Sequence, residues 1–191
     1  MQATDQPLTT RAFDWIGQPT GGSLLTNEEY CETRDVFQAR LARFGNELER
    51  DPALAATASL LEAIVGELGN NSFDHNLGSW RDVPGVYFAH NREQRITVIA
   101  DRGQGVFNSL KRVQPSLTTD QSAVELAFST VISGRAPERR GNGLKFVASV
   151  IQKTGWSLEF YSGIGRILLG SHAHNEASNQ NIQGVVVAVQ F

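Results

Sequence analysis

The chain reads as one α/β domain, on three observations. Tyr30, Phe37, Leu41, Phe44 and Leu48 recur at helical spacing, and a second apolar stripe follows at Leu54, Leu61, Ile64, Val65 and Leu68. Short runs rich in β-branched and aromatic residues lie at 85–90 (GVYFAH) and 95–100 (RITVIA), and another closes the chain at 185–191. A length of 191 residues is enough to bury one core with additions and too little for two full ones.

Residues 1–25 are rich in Thr, Gly, Gln and Pro, which predicts a loosely structured arm with a short strand around 13–16. Thr26 and Glu29 have capping-box spacing and predict a helix from there to Arg50. That helix needs a surface to cover, either the domain's own or that of a second copy in a homodimer. Asp51-Pro52 supplies a cap and a first-turn proline for the second helix. Gly66 and Gly69 inside it cost about 1 kcal/mol each relative to alanine, so a neighbour is expected to approach the backbone there. The strand at 95–100 runs straight into Asp101. A helix is expected at 120–132, a loop at 133–142, a helix from Gly143 to Lys153 closed by Gly155, and strands at 156–161, 166–169 and 185–191. The chain thus divides into an N-terminal arm and amphipathic helix, 1–50, and a main domain, 51–191.

Net charge and cysteine usage narrow the partners. A charge of -3 and a pI near 5.8 leave no electrostatic footprint for nucleic acid. The single cysteine, Cys31, rules out an internal disulfide framework and fits a reducing compartment. The N-terminus lacks the basic-then-apolar pattern of a secretory signal, and no run approaches the ~18 apolar residues of a membrane span. The expectation is a cytoplasmic protein that engages neither membrane nor nucleic acid.

Three polar motifs interrupt this otherwise ordinary pattern. Glu67, Asn71 and His75 follow one another at four-residue spacing and so share one helix face. Asp101-Arg-Gly103-Gln-Gly105 comes next, then Arg140-Gly141-Asn-Gly143-Leu144-Lys145. In this order they resemble the E-x-x-x-N, D-x-G-x-G and G-x-G-[LIV] boxes of the ATP-binding domain shared by gyrases, heat-shock-90 chaperones, histidine kinases and mismatch-repair ATPases. This is the GHKL or Bergerat-fold family, and the resemblance covers roughly residues 55–191. It implies an α+β two-layer sandwich, with a mixed sheet covered by helices on one face, and ATP and Mg²⁺ as ligands.

The residues suit those roles chemically. Asn71 offers the neutral oxygen that Mg²⁺ accepts beside phosphate and water, and the resemblance makes it the metal ligand. Glu67, one turn earlier, can orient and deprotonate a hydroxyl or water aimed at the γ-phosphate, the role the family also implies. Asp101 can accept a hydrogen bond from the exocyclic amine of adenine and disfavours a guanine carbonyl. Gly103 and Gly105 let the backbone wrap a flat base. Gly141 and Gly143 open a helix whose N–H groups can meet phosphate oxygens, with Leu144 behind them. Arg135, Arg139, Arg140 and Lys145 are candidates to touch the γ-phosphate. His75 suits either the phosphate end or a structural role.

Two departures stand out. Relatives place threonine after a late glycine, whereas Val185 follows Gly184 here, and the polar stretch 171–183, with His172 and His174, is long for a strand connection. No phosphoacceptor histidine, receiver or transducer segment is evident, so the chain is expected to stand alone, most like the anti-sigma-factor serine kinases. Three readings remain open: a protein serine/threonine kinase acting on a partner protein, a nucleotide-gated binding module with little turnover, and a slow ATPase within a larger assembly.

Overall fold

The computed structural model describes residues 6–21, 25–129, 142–170 and 181–191. Helix α1 is Leu8–Gly17, α2 Arg34–Glu49, α3 Ala58–Asn76, α4 Gly105–Lys111, α5 Asp120–Ser129 and α6 Gly143–Thr154. Strand β1 is Tyr30–Cys31, β2 Val86–Asn91, β3 Ile96–Asp101, β4 Ser157–Gly163, β5 Gly165–Leu169 and β6 Ile182–Gln190. They form one sheet in the order β1-β2-β3-β6-β4-β5. Among the described residues no helix is long and apolar enough to cross a membrane.

The α+β class holds, but the sheet is antiparallel throughout rather than mixed. Insertion of β6 explains this. β3 and β4 run the same way, as expected of strands joined by a helical crossover, yet β6 lies between them and opposes both. No two parallel strands are therefore neighbours.

Helices also cover both faces instead of one. On the first face Val86, Phe88, Ile99, Leu158, Phe160, Val187 and Val189 meet α2, α3, α5 and α6 in the main core. On the second, Tyr87, Ala89, Val98, Ala100, Val186 and Ala188 pack against Ala12, Trp15 and Ile16 of α1. Strict alternation along β2, β3 and β6 assigns the faces, and burial on both sides makes these strands almost continuously apolar.

The expected arm is therefore a helix, with Ala12, Trp15 and Ile16 buried and no strand at 13–16. The helix expected from Thr26 begins later. Thr26 does hydrogen-bond Glu29, donating from N and Oγ1 to Oε2 at 3.2 and 2.9 Å, but only one turn forms. Tyr30 and Cys31 then pair with Tyr87 and Val86 as an edge strand. α2 restarts behind Thr33, whose hydroxyl accepts from Val36 N at 3.3 Å. Asp51 opens a turn and a short 3-10 segment, Ala55–Thr57, before α3 begins at Ala58. The two helical glycines serve packing. A Cβ on Gly69 would lie 2.1 Å from the Phe37 ring, and one on Gly66 3.1 Å from a Leu41 methyl. α2 thus lies on α3 of its own chain.

Candidate functional site

α3, the β3–α4 turn and the start of α6 enclose a cavity of about 310 Å³, at the lower end of the range for small-molecule sites. Glu67, Asn71 and His75 from α3, Asp101 and Gly105 from the turn, and Gly143 and Leu144 from α6 all line it. Leu110, Ala127, Phe160 and Val187 give it an apolar floor suited to a flat ring.

Asp101 closes the deep end. It ends β3 on the same face as Ile99, so its side chain enters the helix layer and is 1% exposed. Gly103 N donates to Oδ1 at 2.9 Å and Asn76 Nδ2 to the same oxygen at 3.1 Å, and Ser72 and the Val185 backbone add further bonds. Burial outweighs them and pushes the carboxyl up to about 6. The result is a buried acceptor that exchanges its proton near neutral pH.

The turn after it is fitted to α3. A Cβ on Gly103 would sit 2.0 Å from the Asn76 carboxamide, whose Oδ1 accepts from Gln104 N at 3.0 Å. Asn76 thereby holds both ends of the turn. Arg102, between Asp101 and Gly103 in sequence, points the other way and is wholly buried. It forks onto Asp82 at 2.9 and 2.7 Å and donates to the α1 carbonyls of Trp15 and Ile16 and to Gln18 O. This bonding holds the Asp82 carboxyl well below the usual carboxylate range.

At the open end the first and third motifs meet. A Cβ on Gly143 would lie 2.4 Å from Glu67 Oε2 and 3.7 Å from Asn71 Nδ2, so the start of α6 sits directly against these two side chains of α3. Glu67 also borders a second, more open groove, about 370 Å³, lined by Leu41, Ala63, Gly66 and Phe146. His75 Nδ1 lies 3.0 Å from Ser109 Oγ, and its carbonyl accepts from Gln104 Nε2. Gly103 buttresses the turn without lining the cavity, and Lys145, half-buried on α6, does not line it either. Arg135, Arg139, Arg140, Gly141, His172 and His174 lie outside the described residues.

Four residues that sequence reasoning passed over belong here. Ser72 and Asn76 carry the signal of two polar residues four apart inside a buried stripe, and both serve Asp101. Ser162, buried on β4, donates to Gly184 O at 3.0 Å and accepts from Val106 N at 2.9 Å, which puts a hydroxyl beside the glycine that Val185 follows. Arg34, at the start of α2, reaches across to Asp74 at the cavity rim; nothing local in its sequence marked it.

Among the described residues no three His, Cys, Asp or Glu side chains gather as a metal cluster. The donor set that does exist, the Asn71 amide in a cavity otherwise open to solvent at that end, fits a cation that keeps waters and takes its remaining oxygens from a bound phosphate. A scan against protein-family models matches none, and a search of curated proteins finds no match, so the functional reading rests on the residues themselves.

Proposed function

We propose that the chain is an Mg²⁺-dependent, ATP-binding regulatory protein of Bergerat type that transfers the γ-phosphate of ATP to a serine or threonine hydroxyl on a partner protein. The observation that carries this reading is Asp101: a fully buried carboxylate at the closed end of an apolar-floored cavity whose open end bears Asn71, Glu67 and the start of α6. A carboxylate oxygen at that depth is the acceptor type that the adenine amine needs, and the apolar floor suits the ring.

In this reading Asn71 would hold Mg²⁺, which when bound neutralises phosphate charge. The N-terminal N–H groups of α6 face the phosphate oxygens. Glu67 accepts the proton of the acceptor hydroxyl as its oxygen bonds to the γ-phosphorus and the bond from that phosphorus to the β–γ bridging oxygen breaks, releasing ADP. The groove on the other side of Glu67 supports an acceptor that arrives from a separate protein, because one carboxylate borders both spaces.

A second reading, a nucleotide-gated binding module, is favoured by the closeness of the Glu67 carboxylate to Gly143, where a negative charge suits the start of α6 without any proton transfer. Glu67→Gln separates the two. Under the kinase reading it abolishes transfer while ATP still binds; under the gated reading ATP-dependent association with the partner survives unchanged. Free phosphate release stimulated by another protein would instead identify an ATPase subunit.

The first test is calorimetric titration with ATP, ADP and GTP in Mg²⁺, beside Asp101→Asn. Adenine-selective binding that weakens at least tenfold in the variant is the expected result, followed by transfer of γ-labelled phosphate to a partner. A folded protein that binds no adenine nucleotide would overturn the reading.

A further inference from the structure

We propose that Arg34, at the start of α2 and outside all three motifs, is a recognition residue for the polyphosphate of the nucleotide. The inference rests on the nucleotide reading above and assigns it a phosphate contact. Among the described residues lining the cavity, Glu67, Asp74 and Asp101 are carboxylates and Arg34 alone is Lys or Arg. A site for a polyanion needs positive charge near the phosphates, and Arg34 lines the same cavity as Glu67 and Asn71, the residues proposed for that end. Its side chain is 45% exposed at the open rim, whereas Asp101 at the closed end is 1% exposed.

Helix stability does not account for it. Thr33 caps α2, so Arg34 is the first helical residue, where the helix dipole disfavours a positive charge. Nor does the ion pair, since half-exposed pairs of this kind contribute about 0–1 kcal/mol. What the pair does is aim the guanidinium. The Asp74 carboxylate accepts from one nitrogen, and the group lies 5.9 Å above the Phe73 ring, which holds the planar fork at the rim. Asp74 takes one N–H of the five that a guanidinium offers, and a polyphosphate can engage the rest bidentately. Asp74 is then a competitor that keeps Arg34 in place until a more highly charged anion arrives.

The test compares Mg·ATP with adenosine on the full chain, by calorimetry for ATP and displacement for adenosine, in wild type, Arg34→Gln, Arg34→Lys and Asp74→Asn. Arg34→Gln is expected to weaken ATP roughly tenfold and leave adenosine unchanged. Arg34→Lys should recover part of the loss, and Asp74→Asn should bind ATP more tightly, a gain that misfolding cannot produce. Arg34→Gln that binds ATP like wild type, or that loses ATP and adenosine by the same factor, overturns the proposal. Wild type that binds neither ligand would instead remove the nucleotide reading beneath it.

Discussion

At the scale of single residues, Asp101 and Asp82, the aspartate that Arg102 holds, respond to pH with opposite sign. Asp101 has a folded-state pKa of about 6, above its ordinary 3.8, because burial penalises the charge. Its contribution to stability is therefore full below pH 3.8 and declines as pH rises through 6. Relative to Asp101→Asn, which cannot ionise, wild type should lose on the order of 3 kcal/mol of unfolding free energy between pH 4 and 7 and stay level above; urea melts of both proteins across that range measure it, and a pH-independent difference would show that the carboxyl is not desolvated. Asp82, held below the ordinary range by Arg102, is stabilising above pH 3.8 and loses that contribution only in stronger acid. An adenine amine donating to Asp101 favours its ionised form, so ATP affinity should fall as pH drops below 6, roughly tenfold per unit, and Asp101→Asn should abolish that slope. Asp101 was legible because a carboxylate at the end of an apolar strand, followed by two glycines, is hard to explain by packing. Asn76 was not, because its task is set by a turn 25 residues further along the chain.

At the scale of elements, the local signals that failed were overridden by partners distant in sequence. The stripe Leu8, Ala12, Trp15 and Ile16 has helical spacing, yet it sits among Thr, Gln and Pro, and α1 exists because the second sheet face needs cover. Glu29 satisfied the capping box but is held by Arg11 at 2.6 Å, while its carbonyl accepts from Phe88 N, and the chain turns into β1 rather than a helix. The end of α6 was legible because Gly155, at φ 73°, is a purely local stop. Arg102 ties the Asp101–Gly105 turn to α1 through the carbonyls of Trp15 and Ile16, and to Gln18 O and Asp82 through three further hydrogen bonds, and its removal leaves those acceptors without its donors. Arg102→Met should cost about 2–4 kcal/mol in urea denaturation. Arg102→Lys should recover less than half of it, since one ammonium cannot reach carbonyls and a carboxylate arranged around a planar fork; full recovery by lysine would mean charge alone matters.

At the scale of the whole molecule, β3 is the strand both faces share. Asp101 at its end turns into the cavity layer, and the next residue turns into the α1 layer. The sequence could announce β3 as a strand but not its neighbours, because β6 reaches its place between β3 and β4 only through pairings distant along the chain. This shared strand gives the proposed nucleotide a route to the opposite face. Mg·ATP at 100 times its dissociation constant should raise the unfolding free energy by about 2.7 kcal/mol and slow amide exchange in α3 and α6, which line the cavity. It should also slow exchange in α1, which does not, because ordering of the Asp101–Gly105 turn restrains the Arg102 side chain that holds the carbonyls of Trp15 and Ile16. Arg102→Lys should bind ATP while α1 no longer responds. Protection confined to α3 and α6 in wild type would show that the two faces act independently despite the strand they share.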